Sequence, residues 1–447
     1  MDLITTDASP VLPALEAPWA DEVRAHPTML ADIAHAVGGP FHVLYPEQFG
    51  DNVLALRAAL RDAGVGGGVY FGKKANKSGC WLPECARTGA GVDVASEPEL
   101  VHALAGGVRG ADLVVTGAAK KDSLLWLAIR HQCLIAVDAL DELDRVIEAA
   151  KRTGVARIQL RVLPPPDPAS RFGLDPAELD EALHRCVRAS GHVEMEGFSF
   201  HLNGYRVPPR ARLAAELVDR CVRARALGLA AGSVDIGGGF AVSYVDEEHW
   251  RAYADGHQDG WFHAGKRFSH FYPYHQAPTG AAMLAAILRS EVDGGGTVAE
   301  KFAATGTRML MEPGRALLDR TGFSAFPVQG LKRRGGYAIA TVGGLSMSVS
   351  EQWKNSEFLP DPVLWPNTGR HEPVGVCVGG ASCMEYDMLT WRKVPMPRQP
   401  EPGDLLVYPN TSGYQMDKNE TEFHQLPLPS RVVVDRADGT LRWRLDR

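Results

Sequence analysis

The sequence predicts an α/β protein with a (β/α)8, TIM-like barrel and a C-terminal all-β domain. From about residue 40 to about residue 310, short apolar runs alternate with helix-like stretches, which is typical of parallel β/α units. After about residue 320 the segments are short, rich in β-forming residues and separated by turn residues. This second pattern indicates an all-β domain, which we expect to be Greek-key-like.

The barrel prediction depends on eight strand candidates. Between them lie stretches such as ALDELDRVIEAAKRTG, which place apolar residues at helical spacing and end in glycine. The eight candidates are GGVYFGK, GAGVDVAS, DLVVTG, CLIAVDA, RIQLRVL, MEGFSFHL, GSVDIGGGF and TRMLMEPG.

We expect three regions along the chain. Residues 1–42 form an N-terminal segment that packs with the β domain, residues 43–315 form the barrel, and residues 316–447 form the β domain, whose last segment contains an Asp-Gly hairpin signal. An insertion at about 243–278 is rich in histidine and aromatic residues. It is either a surface excursion over the barrel mouth or a lid that contacts substrate.

Composition limits the classes of function. The 447 residues are 45% hydrophobic and 23% charged, and the net charge of -7 includes no long run of one sign. This argues against a nucleic-acid surface and favours small-molecule chemistry. No apolar stretch of membrane-spanning length occurs, and the acidic, proline-rich start lacks an export pattern, so we expect a cytoplasmic protein that is not bound to a membrane.

The seven cysteines do not form a metal or disulfide pattern. They include no CxxC pair and no histidine-rich partner cluster, so we expect no metal site and no disulfide framework. Most should be small buried hydrophobic residues.

Polar residues recur where the predicted barrel strands end, which is where reactive groups lie in parallel barrels. Lys74, Asp93, His201, Gly237–Gly239 and the run from Glu312 to Arg315 all fall at or just beyond such ends. These residues are therefore the candidates for a site.

Seven motifs occur in the order, and close to the spacing, of a known family. They are YFGKKANKS, GAGVDVASEPEL, GFSFHLNG, VDIGGGF, MEPGRALLD, CMEYD and GDLLVYPNTSGY. Over roughly residues 45 to 430 the chain resembles the fold-type III pyridoxal 5'-phosphate (PLP) decarboxylases, the diaminopimelate and ornithine decarboxylase relatives with an alanine-racemase-like barrel. The resemblance implies PLP as cofactor and amino-acid decarboxylation through a Schiff base and a quinonoid carbanion.

The resemblance selects Lys74 as the Schiff-base lysine, because the family lysine directly precedes Ala-Asn. Neighbouring side chains on a strand point to opposite faces, so Lys73 and Lys74 cannot both enter one site. We expect Lys73 and Lys77 to be ordinary solvated lysines.

The family pattern also assigns groups that hold the cofactor phosphate. Gly237, Gly238 and Gly239 follow a strand, and a chain without Cβ atoms there can bring backbone N–H groups to a phosphate; a simple turn is the alternative. Arg315 resembles the phosphate-neighbouring arginine, with Gly314 before it as a further cofactor-binding residue, and Tyr414 resembles the tyrosine that closes over the phosphate.

Four further residues resemble those that contact the cofactor ring and imine. A carboxylate at Glu312 beside the pyridine nitrogen favours the protonated ring, which accepts an electron pair from Cα; relatives that only racemise alanine carry arginine there. His201 resembles the histidine that stacks on the ring. Asp93 and Glu99 match positions near the imine, although Glu99 could instead simply begin a helix.

Cys383 and Asp387 in CMEYD resemble the family's Cys-x-x-x-Asp element. In relatives the cysteine reaches the partner subunit's active site and returns a proton to the carbanion, and Asp387 would orient substrate or loop. The resemblance therefore implies a homodimer with shared active sites.

The substrate positions depart from the family. Met384 stands where relatives carry an acid for a distal amine, and a thioether cannot neutralise an ammonium group; Glu385 is an alternative acid. Arg171, in the short motif ASRFG, suggests a different substrate-side loop. We therefore expect an amino acid or derivative other than a simple diamino acid, free or carrier-bound. The alternatives are a racemase or epimerase on the same fold, and a catalytically silent binding or regulatory homologue.

Overall fold

The protein is described by a computed structural model that covers residues 9–165, 168–349, 356–369 and 371–446. The chain divides into two compact units. The barrel unit comprises Phe49–Ala241 and Pro278–Leu317, and the β-rich unit comprises Met1–Gln48, Val242–Ala277 and Leu318–Arg447.

The first described elements belong to the β-rich unit. They are α1 (Pro18–Ala25), α2 (Met29–Val37) and β1 (Phe41–Leu44), and α3 (Pro46–Asp62) follows. Trp19 of α1 stacks on Tyr45 at 4.8 Å and on Phe323 at 5.8 Å between ring centroids. This stacking, together with buried aliphatic residues of α2, joins the N-terminal helices to the core of the unit.

Eight parallel strands close into a barrel, as the alternating pattern predicts. Each strand candidate contains or overlaps one of them, so the predicted barrel is confirmed. The strands are β2 (Gly67–Gly72), β3 (Gly91–Val94), β4 (Leu113–Val115), β5 (Leu134–Val137), β6 (Ala156–Arg161), β7 (Val193–Ser199), β8 (Ser233–Asp235) and β9 (Arg308–Met311).

Helices alternate with these strands, and their ends follow local sequence signals. Asp175 caps α8 by accepting from the N–H groups of Ala177 and Glu178, while Glu178 returns the bond to the Asp175 backbone. The helices are α4 (Trp81–Thr88), α5 (Glu97–Ala105), α6 (Asp122–Arg130), α7 (Leu140–Thr153), α8 (Pro176–Arg188), α9 (Val207–Ala226), α10 (Glu247–Gly256, in the β-rich unit), α11 (Gly280–Arg289) and α12 (Val298–Thr305).

The C-terminal all-β domain is also confirmed, as a nine-stranded sheet that includes β1. β1 pairs antiparallel with the first C-terminal strand and parallel with the seventh. The Asp438-Gly439 turn joins the last two strands as an antiparallel hairpin. The C-terminal strands are β10 (Gly322–Arg334), β11 (Tyr337–Val342), β12 (Val363–Trp365), β13 (Val374–Gly379), β14 (Met388–Met396), β15 (Leu405–Tyr408), β16 (Ser430–Ala437) and β17 (Thr440–Leu445).

The aromatic segment Val242–Ala277 packs within the β-rich unit. The Tyr253 and Trp261 rings lie 5.6 Å apart, and the Tyr274 hydroxyl donates to the Glu357 carbonyl at 2.7 Å. These contacts account for much of its aromatic content. Throughout the described ranges, we find no helix with the length and apolar character needed to cross a bilayer.

Candidate active site

Lys74 lies just beyond the end of β2, in a single 3-10 turn over Lys73–Ala75. Its side chain is 47% exposed, and its Nζ is 3.5 Å from Asp93 Oδ2. Lys73, by contrast, is buried and donates from Nζ to the Lys77 carbonyl at 2.9 Å. The expectation that Lys73 is solvated was therefore wrong. Both lysines come after the end of β2, so the 3-10 turn sets the directions of their side chains and strand alternation does not. Lys77 is exposed, as expected.

Asp93, in β3, is held in one orientation beside the lysine. It is buried, and its Oδ1 accepts from the Thr116 hydroxyl at 2.5 Å. Glu99 has a different role, since its Oε2 accepts from the Ala95 N–H at 2.7 Å in the first turn of α5. The contacts of Glu99 are those of a helix N-terminal acid.

Two more buried carboxyl groups lie at the ends of β8 and β9. Asp235 is fully buried, and it accepts from the Gly237 N–H at 2.8 Å and from Gln159 Nε2 at 3.4 Å. Burial is the largest cause that raises the pKa of Glu312 well above its ordinary value, and the charges of Asp235 and Asp93 raise this pKa further. Glu312 therefore favours its protonated form.

His201, just beyond β7, presents a neutral imidazole. Burial is the main cause that lowers its pKa to about 3, and the positive charges of Lys74, Arg161 and Arg210 add to the effect. The ring therefore stays uncharged at neutral pH.

The glycine run after β8 forms a cradle with no room for side chains. Gly237 and Gly239 have positive φ angles of 65° and 77°. A Cβ on Gly237, Gly238 or Gly239 would lie 2.6 Å from the Phe200 carbonyl oxygen, 2.8 Å from the Glu312 carbonyl oxygen or 2.4 Å from an Arg210 nitrogen, respectively. Only glycine avoids all of these contacts, and since the Gly237 N–H is bonded to Asp235, the N–H groups of Gly238 and Gly239 are the ones left for close approach.

The remaining predicted phosphate residues divide between the two units. Gly314 and the buried Arg315 follow β9 in the barrel unit. Tyr414 lies in a turn of the β-rich unit with φ of 78°, where its carbonyl accepts from the N–H groups of Asp417 and Lys418.

The Cys-x-x-x-Asp element is a surface loop of the β-rich unit. Cys383 is the one exposed cysteine of the seven, all of which are described, and its Sγ lies 3.3 Å from His424 Nε2. Asp387 is buried, and its carboxylate accepts from the N–H groups of Ser346 at 2.8 Å and Ser382 at 3.1 Å. These bonds favour a loop-orienting role for Asp387 over substrate contact.

The predicted substrate residues next to this cysteine differ in exposure. Met384 is partly buried and Glu385 is exposed. Asp387 bonds through its N–H to the Met384 carbonyl at 3.0 Å, which helps to fix the turn.

A cavity of about 300 Å³ brings together Lys74, His201, Glu312 and Arg171 in the barrel unit. The sequence reasoning missed other lining residues, among them Arg161, Phe172 and Thr116. The strand-end rule could have found Arg161, the last residue of β6, and Asp235, the last residue of β8. Phe172 carries no such signal.

These features fit the PLP that the resemblance implies. The Lys74 amine opens to the cavity beside a carboxylate, Glu312 can share a proton with a ring nitrogen, and His201 offers an uncharged ring. Gly237–Gly239 form a cradle that side chains would fill, as a phosphate site requires.

Comparison with known proteins agrees with this chemistry. A family described as "Pyridoxal-dependent decarboxylase, pyridoxal binding domain" matches residues 53–259. The chain is 36% identical over 433 residues to the uncharacterized protein y4yA of Sinorhizobium fredii (strain NBRC 101917 / NGR234), covering 96% of this chain and 94% of that protein. It is 22% identical to the diaminopimelate decarboxylase of Bacillus subtilis (strain 168), covering 92% and 89%.

The fold is also that of solved decarboxylases. The crystal structure of diaminopimelate decarboxylase from Helicobacter pylori complexed with L-lysine superposes with a TM-score of 0.72 at 17% identity, covering 96% of this chain and 97% of that one. This likeness shows the fold, and the family match and the sequence relatives show that the chain belongs to the fold-type III PLP-dependent decarboxylase family, as a divergent member whose cofactor is PLP.

Proposed function

We propose that this protein decarboxylates an amino acid, or an amino-acid derivative, that is not a simple diamino acid. The observation that carries the proposal is the meeting of Lys74, His201 and Glu312 at one cavity of the barrel unit. The glycine cradle, whose Gly238 closely approaches the Glu312 backbone, lies beside these residues. The decarboxylase names of the relatives support the same type of reaction.

When bound, PLP supplies an electron sink for the pair that is left at Cα as carbon dioxide departs. The chain has to hold the cofactor and direct protons. Lys74 would hold the cofactor covalently through its amine. Asp93, 3.5 Å from the Lys74 nitrogen, balances the positive charge there.

Glu312 and His201 set the charge around the cofactor ring. The raised pKa of Glu312 lets its carboxyl hold a proton, which it would share with the ring nitrogen of the cofactor. His201, with its pKa lowered to about 3, would lie against the cofactor ring without adding positive charge. An acid at this position, where relatives that only racemise alanine carry arginine, supports loss of carbon dioxide, because a protonated ring would stabilise the electron pair left at Cα.

Cys383 is the proposed acid that returns a proton to Cα. Its thiol is exposed, with His424 Nε2 at 3.3 Å, so it is open to contact with a second chain, to whose active site it would deliver the proton. Tyr414, which lies in the same β-rich unit as Cys383, would close over the phosphate. The proposal therefore includes a homodimer with shared active sites.

Met384 sets the limit on the substrate. A distal ammonium group needs a carboxylate partner when it is taken out of water, and a thioether supplies none. Glu385 is exposed and adjacent in sequence, so a diamino substrate would have to depend on that residue instead.

The test is a screen for carbon dioxide release from a panel of amino acids in deuterated water. A decarboxylase releases carbon dioxide and incorporates one solvent deuterium at Cα of the product amine. Deuterium in recovered amino acid without carbon dioxide would identify a racemase instead. Borohydride reduction followed by peptide mass spectrometry should place the cofactor on Lys74. If both turnover and the Lys74 adduct are absent, the result indicates a silent binding homologue.

A further inference from the structure

The loop between β6 and α8 places two arginines on one aromatic ring. The guanidinium carbons of Arg161 and Arg171 lie 4.4 Å and 4.1 Å from the centroid of the Phe172 ring. All three residues line the cavity that contains Lys74 and Glu312. A guanidinium that stacks on a ring keeps its N–H edge for hydrogen bonding, which suits a planar anion.

Near Phe172, the cavity has a positive side chain that no carboxylate of the described residues neutralises. Lys74 has Asp93 at 3.5 Å, and Arg161 has Asp138 at 3.3 Å. Within the described ranges, Arg171 has no carboxylate at ion-pair distance. Glu312 compensates little, because its raised pKa favours the neutral form.

The backbone around Arg171 is held in place. The Leu163 N–H donates to the Leu174 carbonyl at 2.9 Å, and the Leu174 N–H donates to the Arg161 carbonyl at 2.8 Å. The Gly173 N–H donates to Asp138 Oδ1 at 3.1 Å. The loop therefore offers the Arg171 side chain from a fixed base, beside a ring that limits its rotation.

We infer that the substrate carries a second anionic group, of carboxylate type, which Arg171 binds at the cavity with Arg161 beside it. This inference rests on the proposed function, and it narrows the substrate to an acidic amino acid or an acidic derivative. A guanidinium holds such a group through two parallel hydrogen bonds and repels a distal ammonium group. Arg171 is thus a specificity-determining residue.

The experiment measures binding of reduced cofactor conjugates to full-length protein freed of PLP, by calorimetry. The probes are phosphopyridoxyl-L-glutamate, phosphopyridoxyl-L-norleucine, phosphopyridoxyl-L-lysine and pyridoxamine phosphate. We expect the glutamate conjugate to bind at least about tenfold more tightly than the lysine conjugate, as one charge-assisted contact allows. Pyridoxamine phosphate, which lacks the amino-acid part, reports on the cofactor site alone.

Arg171→Gln should weaken binding of the glutamate conjugate about tenfold and leave the affinity for the norleucine conjugate unchanged. Arg171→Glu should reverse the preference in favour of lysine. The matched control is Arg130→Gln, which alters an exposed arginine outside the cavity lining and should change none of the affinities.

The outcomes separate the two claims. If pyridoxamine phosphate fails to bind, the proposed function falls. If it binds while the glutamate and lysine conjugates bind equally, or lysine binds more tightly, the inference about the acidic substrate is overturned and the proposed function stands.

Discussion

Two lysines of the barrel unit follow barrel strands, and their surroundings differ in almost every respect. Lys120, after β4, has no exposed side-chain surface, and its Nζ donates to the carbonyls of Gly117 at 2.8 Å and Ala136 at 2.6 Å and to Glu142 Oε2 at 2.9 Å. Lys74, after β2, is 47% exposed and lies 3.5 Å from Asp93. Both are strand-end lysines by sequence.

The difference shows how a structural amine is distinguished from a reactive one. An ammonium group has three N–H donors, and those of Lys120 all have acceptors, so its burial is compensated and its amine cannot be reached. Burial lowers the pKa of Lys120 while Glu142 opposes that change. Lys74 faces a cavity, which a covalent anchor for a cofactor requires.

Lys74→Ala should produce the largest effect on activity. If it does not, the distinction between a reactive Lys74 and a structural Lys120 fails. Without the amine, carbon dioxide release should fall on the order of 10⁴-fold. The free energy of unfolding should change by less than about 0.5 kcal/mol, because the side chain is half exposed. Lys77→Ala is the matched control, and loss of the reducible cofactor linkage in that variant would contradict the assignment.

Lys120→Met should show the opposite profile. Removing one partner of a buried pair leaves Glu142 uncompensated and should lower the free energy of unfolding by about 3–5 kcal/mol in urea denaturation. The visible absorption of bound PLP per folded molecule should remain. The exposed neighbour Lys121 provides the control, since Lys121→Met should change stability by no more than about 0.5 kcal/mol. A Lys120 variant that folds normally but loses PLP would remove the distinction between the two lysines.

Measuring the free energy of unfolding as a function of pH tests whether His201, near Lys74, is held neutral. Because the folded state lowers its pKa to about 3, the unfolded state binds more protons between about pH 6.5 and pH 3. The contribution of His201 to stability is therefore present above pH 6.5 and is lost as pH falls, by about 2 kcal/mol between pH 8 and pH 5. The comparison of wild type with His201→Gln isolates this loss from the opposing effect of the buried carboxyl groups. Parallel stability curves for the two proteins would show that His201 is not held neutral.

Asp93→Asn is expected to have the smallest effect. The charge opposite Lys74 is lost while the side chain keeps its shape, so we expect carbon dioxide release to fall about tenfold and stability to change by less than about 1 kcal/mol. Thr116→Val, which removes the hydroxyl that donates to Asp93, should move activity in the same direction by a smaller factor. Unchanged activity in both variants would mean that Asp93 does not assist Lys74.

Much of the fold could be predicted because its signals are local. The periodicity of apolar residues and the turn residues located all eight barrel strands. The Asp438-Gly439 pair alone predicted the last hairpin. The ordered motifs placed Lys74, His201, Glu312 and the glycine run before any contact was known. The assignments of Tyr414, Cys383 and their neighbours to one shared site remain predictions.

Burial of polar groups could not be predicted in the same way. Lys73 and Lys74 are adjacent, but one is buried and the other opens to the cavity, because a 3-10 turn orients them. The position of Asp235 at the end of β8 is visible in the sequence, but its effect on the pKa of Glu312 depends on a contact between residues far apart in the chain.

By itself, the sequence determined the order of strands and helices, the family, and the residues that follow each barrel strand, since these depend on local periodicity and motif order. Only the tertiary structure decided which polar side chains are buried, paired or open to a cavity, as for Lys120 against Lys74. The physical reason is that the cost of burying a charge depends on partners supplied by distant parts of the chain.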